Sequence, residues 1–156
     1  MDGTALRGEI EAFLAAHHTV SLATVDDQGA PHAANVLYAS DGVALYWMSD
    51  TETRHSRHIE MRGRVTATVA PDYADFRLIR GLQIFGLARR LTGVDSLACA
   101  RRMVSRYGFL AELASGPPAL RAAFEKAGFY CLEPERITLI DNTKGFGHKE
   151  TLELPR

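Results

Sequence analysis

The sequence predicts a single, mainly β domain: an antiparallel barrel, closed or partly closed, with a few flanking α-helices. Three observations carry this reading. Short runs rich in Val, Leu, Thr and aromatic residues recur along the chain, punctuated by Asp-Gly, Gly and Pro turn signals. Few segments follow the 3.6-residue period of an amphipathic helix. About six or seven strands joined mostly by short turns would leave many exposed edges, which barrel closure hides. The 156 residues, 46% apolar and 24% charged, suffice for one domain over 1–156 with its own core.

A helix is expected over 4–17, where Leu6, Ile10, Phe13 and Leu14 share one face. The period then changes. Residues 19–25 read as a strand ending at the turn "DDQG", and 32–39 as the next strand. Asp41-Gly42 favours a tight hairpin into an apolar strand over 43–48, completing a three-strand meander. Ser49 and Glu52 have capping-box spacing and predict a short helix that stops near Gly63. Val65, Ala67 and Val69 alternate with Arg64, Thr66 and Thr68, a half-buried strand. A long strand over 78–91 contains Gly81 and Gly86, which suggest a bulge, a bend or close approach by another group. Residues 95–107 read as a helix, and "GPP" at 116–118 opens another that Gly128 stops. Glu133-Pro134 divides two closing strands, 129–132 and 136–141. The tail is "NTKGFGHKETLELPR".

Composition excludes several classes. A net charge of −1 argues against a general nucleic-acid binder. No apolar run approaches the length of a membrane span, and "MDGTALRGEIEAF" lacks the basic-then-apolar pattern of a signal peptide. Cys99 and Cys131 lie far apart with no CxxC spacing and read as reduced core thiols of a cytoplasmic protein; a disulfide is the less favoured alternative.

Against this neutral background, "SDTETRHSRH" at 49–58 places two Arg and two His within five positions. A helix start carries unpaired N–H groups and partial positive charge, and stabilises an anion. Thr53 adds a hydroxyl and Arg54 a planar fork able to donate twice to one phosphate. Arg54, Arg57 and His58 share a helical face by spacing. Composition alone favours a plainer reading, a solvated basic face paired with Asp50, Glu52 and Glu60. A metal held by His55 and His58 is disfavoured by their spacing and by the neighbouring arginines. "GFGH" at 145–148 lacks the third glycine and following helix of a dinucleotide fingerprint.

The order of these pieces resembles the pyridoxamine 5'-phosphate oxidase-like family of FMN-binding split barrels. The resemblance runs over about residues 9–150. It rests on "VSLATVDDQGAPHAANVLYASDGVALYWMSDTETRHSRHIEMRGRVTATVAP", then "GLQIFGLARRL" and "LEPERITLIDNTKGFGHK". It implies a homodimer with FMN at the subunit boundary. Thr53, Arg54 and His55 would meet the FMN phosphate, with His55 in place of the usual Lys. Trp47, Met48 and Ser49 would line the flavin and ribityl chain, and Asn35 the ring edge. Gln83 would reach a flavin held across the boundary, or else bond a neighbouring loop. True pyridoxamine 5'-phosphate oxidases carry basic residues on the second strand and a C-terminal Arg-Leu-x-Pro. This chain reads "AANVLYA" and "GFGHKETLEL" at those places, so oxidation of a vitamin B6 phosphate is not expected.

The resemblance implies an FMN-dependent oxidoreductase acting on a small molecule. Tyr38 and His148 are candidate acid–base groups by their chemistry only. The alternatives are a non-enzymatic flavin- or haem-binding module and a cofactor-free dimeric barrel. The tail, with Lys144, Phe146, His148 and Lys149, is expected to close over the flavin pocket.

Overall fold

The structure is a computed structural model and describes residues 2–156. Helix α1 (Gly3–Ala16) is capped by Asp2, whose carboxylate accepts from the Ala5 amide at 2.8 Å. β1 (Thr19–Val25) and β2 (Pro31–Leu37) form a hairpin. Its turn is held by the Asp26 carboxylate, which accepts from the amides of Gln28 and Ala30. β3 (Ala39–Asp41) and β4 (Ala44–Asp50) form a second hairpin, with Gly42 at φ 57°, a left-handed turn position that favours glycine. Then come α2 (Arg54–Met61), β5 (Arg64–Val69), β6 (Arg80–Arg90), α3 (Gly93–Arg106), α4 (Phe109–Ala114), α5 (Pro118–Glu125), β7 (Ala127–Asp141) and β8 (Lys149–Glu153).

All strand pairs are antiparallel, in the order β2-β1-β5-β6-β7-β4-β3, with β8 also on β7. β7 divides the sheet. One edge follows β6 along its length, while the other pairs β4 over its first half and β8 over its second. The result is the expected split antiparallel barrel with flanking helices. Alternate residues of the strands point inward: Val20 and Leu22, Val65 and Val69, Leu82 and Ile84, Ile137 and Leu139. Ile10 and Leu14 of α1 join the same core. A second core lies where α3 and α4 pack on the outside of the sheet, with Cys99, Met103 and Leu110 against Ala39 and Cys131. Both cysteines are free and buried.

Several local expectations change. The meander is interrupted at Tyr38, which is buried between β2 and β3 with its hydroxyl donating to the Leu14 carbonyl at 2.7 Å. β4 therefore pairs β7 rather than β2. The strands expected over 129–132 and 136–141 are one strand. A register shift beside Gly86 accommodates Pro134, leaving Glu135 as the extra residue between paired Pro134 and Arg136. A Cβ on Gly86 would stand 2.2 Å from the Glu133 carbonyl oxygen, so the close approach read from the sequence is real. The expected capping box fails because Ser49 belongs to β4, paired with Gly128; Thr53 caps α2 instead. α4 was not expected. The tail forms β8, and its Leu152 and Leu154 pack on the core.

Candidate functional site

The basic turn is built by the end of β4. Asp50 holds it: its carbonyl accepts from the Thr53 amide at 3.2 Å and its carboxylate from the Glu52 amide at 2.8 Å. This presents Thr53 as the N-cap of α2, with its Oγ1 accepting from the Ser56 amide at 3.4 Å. The amides of Arg54 and His55 are left without a partner among the described residues.

The side chains of this turn divide sharply. Arg54 is exposed and has neither a hydrogen bond nor an ion pair among the described residues. Arg57, on the same face, is held by Glu52. His58 is buried, with Nδ1 2.9 Å from Thr24 Oγ1. His55 is 8% exposed, and its Nε2 lies 3.0 Å from Ser49 Oγ and 3.3 Å from Thr53 Oγ1. Burial, then the nearby His32 and His58, holds the His55 pKa below its ordinary value and favours the neutral ring. Arg57 thus belongs to a solvated, carboxylate-paired face, while Arg54 and the helix start remain open to an anion.

Asn35 and Met48 meet elsewhere, in a groove of about 340 Å³ between the sheet and α3–α4, with Val36, Leu37, Tyr107 and Phe109 among its walls. Asn35 Oδ1 accepts from Ser21 Oγ at 2.5 Å. Trp47 does not reach this groove. Strand alternation turns its indole inward, where it is fully buried and stacked on Tyr130 with ring centroids 5.9 Å apart. Its backbone is covered as well, with the carbonyl facing Cys99 Sγ at 3.7 Å. Gln83 lies apart from both places, on the open face of the sheet, in a groove with Thr66, Thr68, Phe85, Arg136 and Thr138. It makes no bond to a neighbouring loop among the described residues.

Sequence reasoning missed the context of Gln83. Asn35, Ser21, Thr68, Gln83, Thr138 and Thr151 are successive cross-strand partners, a polar row across six strands. The outward threonines of the 65–69 alternation were the available signal. Arg136 lies in the next row, with its guanidinium over the Phe85 ring at 5.4 Å.

The two acid–base candidates are occupied structurally. Tyr38 is fully buried, and burial pushes its phenol pKa far above the ordinary value. His148 Nε2 lies 3.2 Å from Glu150, and Lys144 lies near both Glu9 and Glu150. Phe146 is 84% exposed and meets Phe76 edge-on. Among the described residues, no group of three or more His, Cys, Asp or Glu is arranged to hold a metal. No helix among them is long and apolar enough to cross a membrane.

Comparison with known proteins fits this architecture. The family profile described as "Pyridoxamine 5'-phosphate oxidase" matches residues 6–141. A UPF0306 protein of Enterobacter sp. (strain 638) is 32% identical over 142 residues, covering 90% of this chain and 91% of that one. The UPF0306 protein YhbP of Escherichia coli O157:H7 is also 32% identical, over 90% of this chain and 88% of its own. Among solved structures, a heme binding protein from Mycobacterium smegmatis superposes with a TM-score of 0.72 at 18% identity, over 94% of this chain and 57% of that longer one. HutZ, the heme storage protein of Vibrio cholerae, gives 0.65 at 22% identity, over 82% and 89%. At these identities the structural likeness speaks for the fold.

Proposed function

The chain belongs to the pyridoxamine 5'-phosphate oxidase-like family of split barrels, and from that premise we propose that it is an FMN-binding flavoprotein, an oxidoreductase acting on a small molecule. The observation that carries the reading is Arg54: an exposed guanidinium, unpaired among the described residues, on the first residue of a helix whose first amides are also unpaired among them. A phosphate there meets a fixed positive charge, a fork of donors and the helix dipole together. The neutral, internally bonded His55 adds no charge. It positions Thr53 and Ser49 instead, so the clamp rests on Arg54.

The other residues fit the same cofactor. Met48 and the apolar walls of the neighbouring groove offer a surface for a flat ring, with Asn35 as the polar contact at its edge. Ser49 follows Met48 along β4 but its side chain is turned to the Trp47 face, where its hydroxyl meets His55; any part it plays at the ribityl chain is through that joint. Gln83 shares the face of Asn35 but stands three strands away along the polar row; contact with a flavin held across a subunit boundary, the role the family resemblance gives it, calls for a second copy of the chain and so for a homodimer. The flavin, when bound, supplies the redox chemistry, and the protein binds, orients and shields it. The second strand carries no Arg or Lys, so a second phosphate, as in a vitamin B6 substrate, finds no clamp there.

The reading is tested by titrating FMN into the wild-type chain and Arg54→Ala. Losing a charge-assisted contact of about 1.5–3 kcal/mol should weaken binding roughly tenfold or more. Unchanged affinity would remove Arg54 from the site. Two of the structural neighbours are named for binding or storing haem. A Soret band on adding haem, with no affinity for FMN, would put haem in place of the flavin.

A further inference from the structure

We infer that the cleft between the end of α1, β3 and α3 binds a small multivalent oxyanion, at a site separate from the proposed cofactor clamp. The cleft has a volume of about 570 Å³ and is lined by Ser40, Arg101, Arg102, Ser105 and Arg106, with Ala15 and Ala39 between them. That volume lies within the usual range for small-molecule sites. The four α3 residues are spaced i, i+1, i+4 and i+5, so the helix turns them to one side.

Two of the three arginines are already fixed. The Arg106 guanidinium donates to the carbonyl oxygens of Ala15, at 3.0 Å, and His17, at the open end of α1. It also lies over the rings of Tyr38 and Tyr107, at 5.3 and 5.7 Å. Arg102 pairs with Asp41 at 2.6 Å and lies over the Tyr46 ring at 4.6 Å. Arg101 is exposed and has no partner among the described residues; the hydroxyls of exposed Ser105 and half-buried Ser40 likewise have none among them.

The charge does not balance. Three arginines line the cleft, and among the described residues Asp41 is the carboxylate that pairs with one of them, in a chain whose formal net charge is −1. Guanidinium groups donate and never accept, so together with two free hydroxyls they select a ligand rich in acceptors. Anchored arginines lose little freedom when a ligand arrives, while Arg101 is free to fold over it. The cleft is large enough for more than one phosphate, which fits a diphosphate or a polycarboxylate better than a lone monovalent ion.

The test is calorimetric titration of the full chain with pyrophosphate and, separately, with citrate, at constant ionic strength. Saturable binding of either anion is expected, and the tighter of the two identifies phosphate or carboxylate as the recognised group. Arg101→Glu should weaken it at least tenfold and Ser105→Ala should weaken it less, both with an unchanged melting temperature. Arg54→Ala should leave it unaltered, which keeps this site distinct from the FMN clamp. No saturable binding of either anion would overturn the proposal. So would a loss caused by Arg54→Ala and not by Arg101→Glu, or equal losses from both.

Discussion

Ser49 Oγ lies 3.0 Å from His55 Nε2, tying the end of β4 to the first turn of α2. The contact turns His55 from an apparent member of a basic cluster into a buried joint between strand and helix. It also leaves the ring's charged form poorly accommodated, since burial and two neighbouring histidines oppose protonation.

A pH dependence follows. The His55 pKa is lowered in the folded chain, so the unfolded chain takes up the proton first as pH falls below the ordinary value of 6.5. Stability is full above that pH, declines below it, and stops declining once the folded-state pKa is passed. Urea midpoints measured from pH 8 to 5 should fall in wild type. His55→Gln, which cannot titrate, should show a shallower fall. Parallel curves would contradict the assignment.

Gly86→Ala tests the bulge that lets β7 run through Pro134. The new Cβ would sit 2.2 Å from a carbonyl oxygen, and backbone on both strands would have to move. A loss of about 1–3 kcal/mol in chemical denaturation is expected, the usual cost of forcing atoms into a packed site. A variant as stable as wild type would mean that β6 and β7 separate freely here.

Assembly tests the role of Gln83. With Gln83 reaching a flavin across a boundary, light scattering at micromolar concentration should give twice the 17.1 kDa chain mass. A monomer at that concentration would leave Gln83 on an open sheet face, remote from Asn35 and Met48, and would remove it from the site.

Local signals gave much of the fold. The strand over 19–25 matches β1 at both ends because a β-rich run meets a strong turn, and the 65–69 alternation matches the burial of β5. What failed was non-local. Ser49-x-x-Glu52 has the spacing of a helix start, yet Thr53 caps the helix. The choice is made by β7, which pairs with β4 as far as Asp50 and keeps Ser49 in the sheet. Likewise Pro134 reads as a break until the partner strand is known to shift register beside it.

The site was legible in part for the same reason. Arg54 keeps the exposure that its place at a helix start suggests. The burial of His55 and Trp47 depends on which side of β4 faces the core, and a charge-rich or aromatic-rich run does not disclose that. Nothing local in the helix expected over 95–107 marks Arg101, Arg102 and Arg106 as a site. β3 and the end of α1, distant in sequence, make them one wall of a cleft.

The central claim is that the start of α2 anchors a phosphate, and FMN against riboflavin tests it most directly, because the two differ only in that group. Fluorescence titrations of the full chain should show FMN binding at least tenfold tighter than riboflavin, the equivalent of about 1.4 kcal/mol or more. In Arg54→Ala most of that difference should disappear. Equal affinity of the wild-type chain for the two would contradict the phosphate clamp.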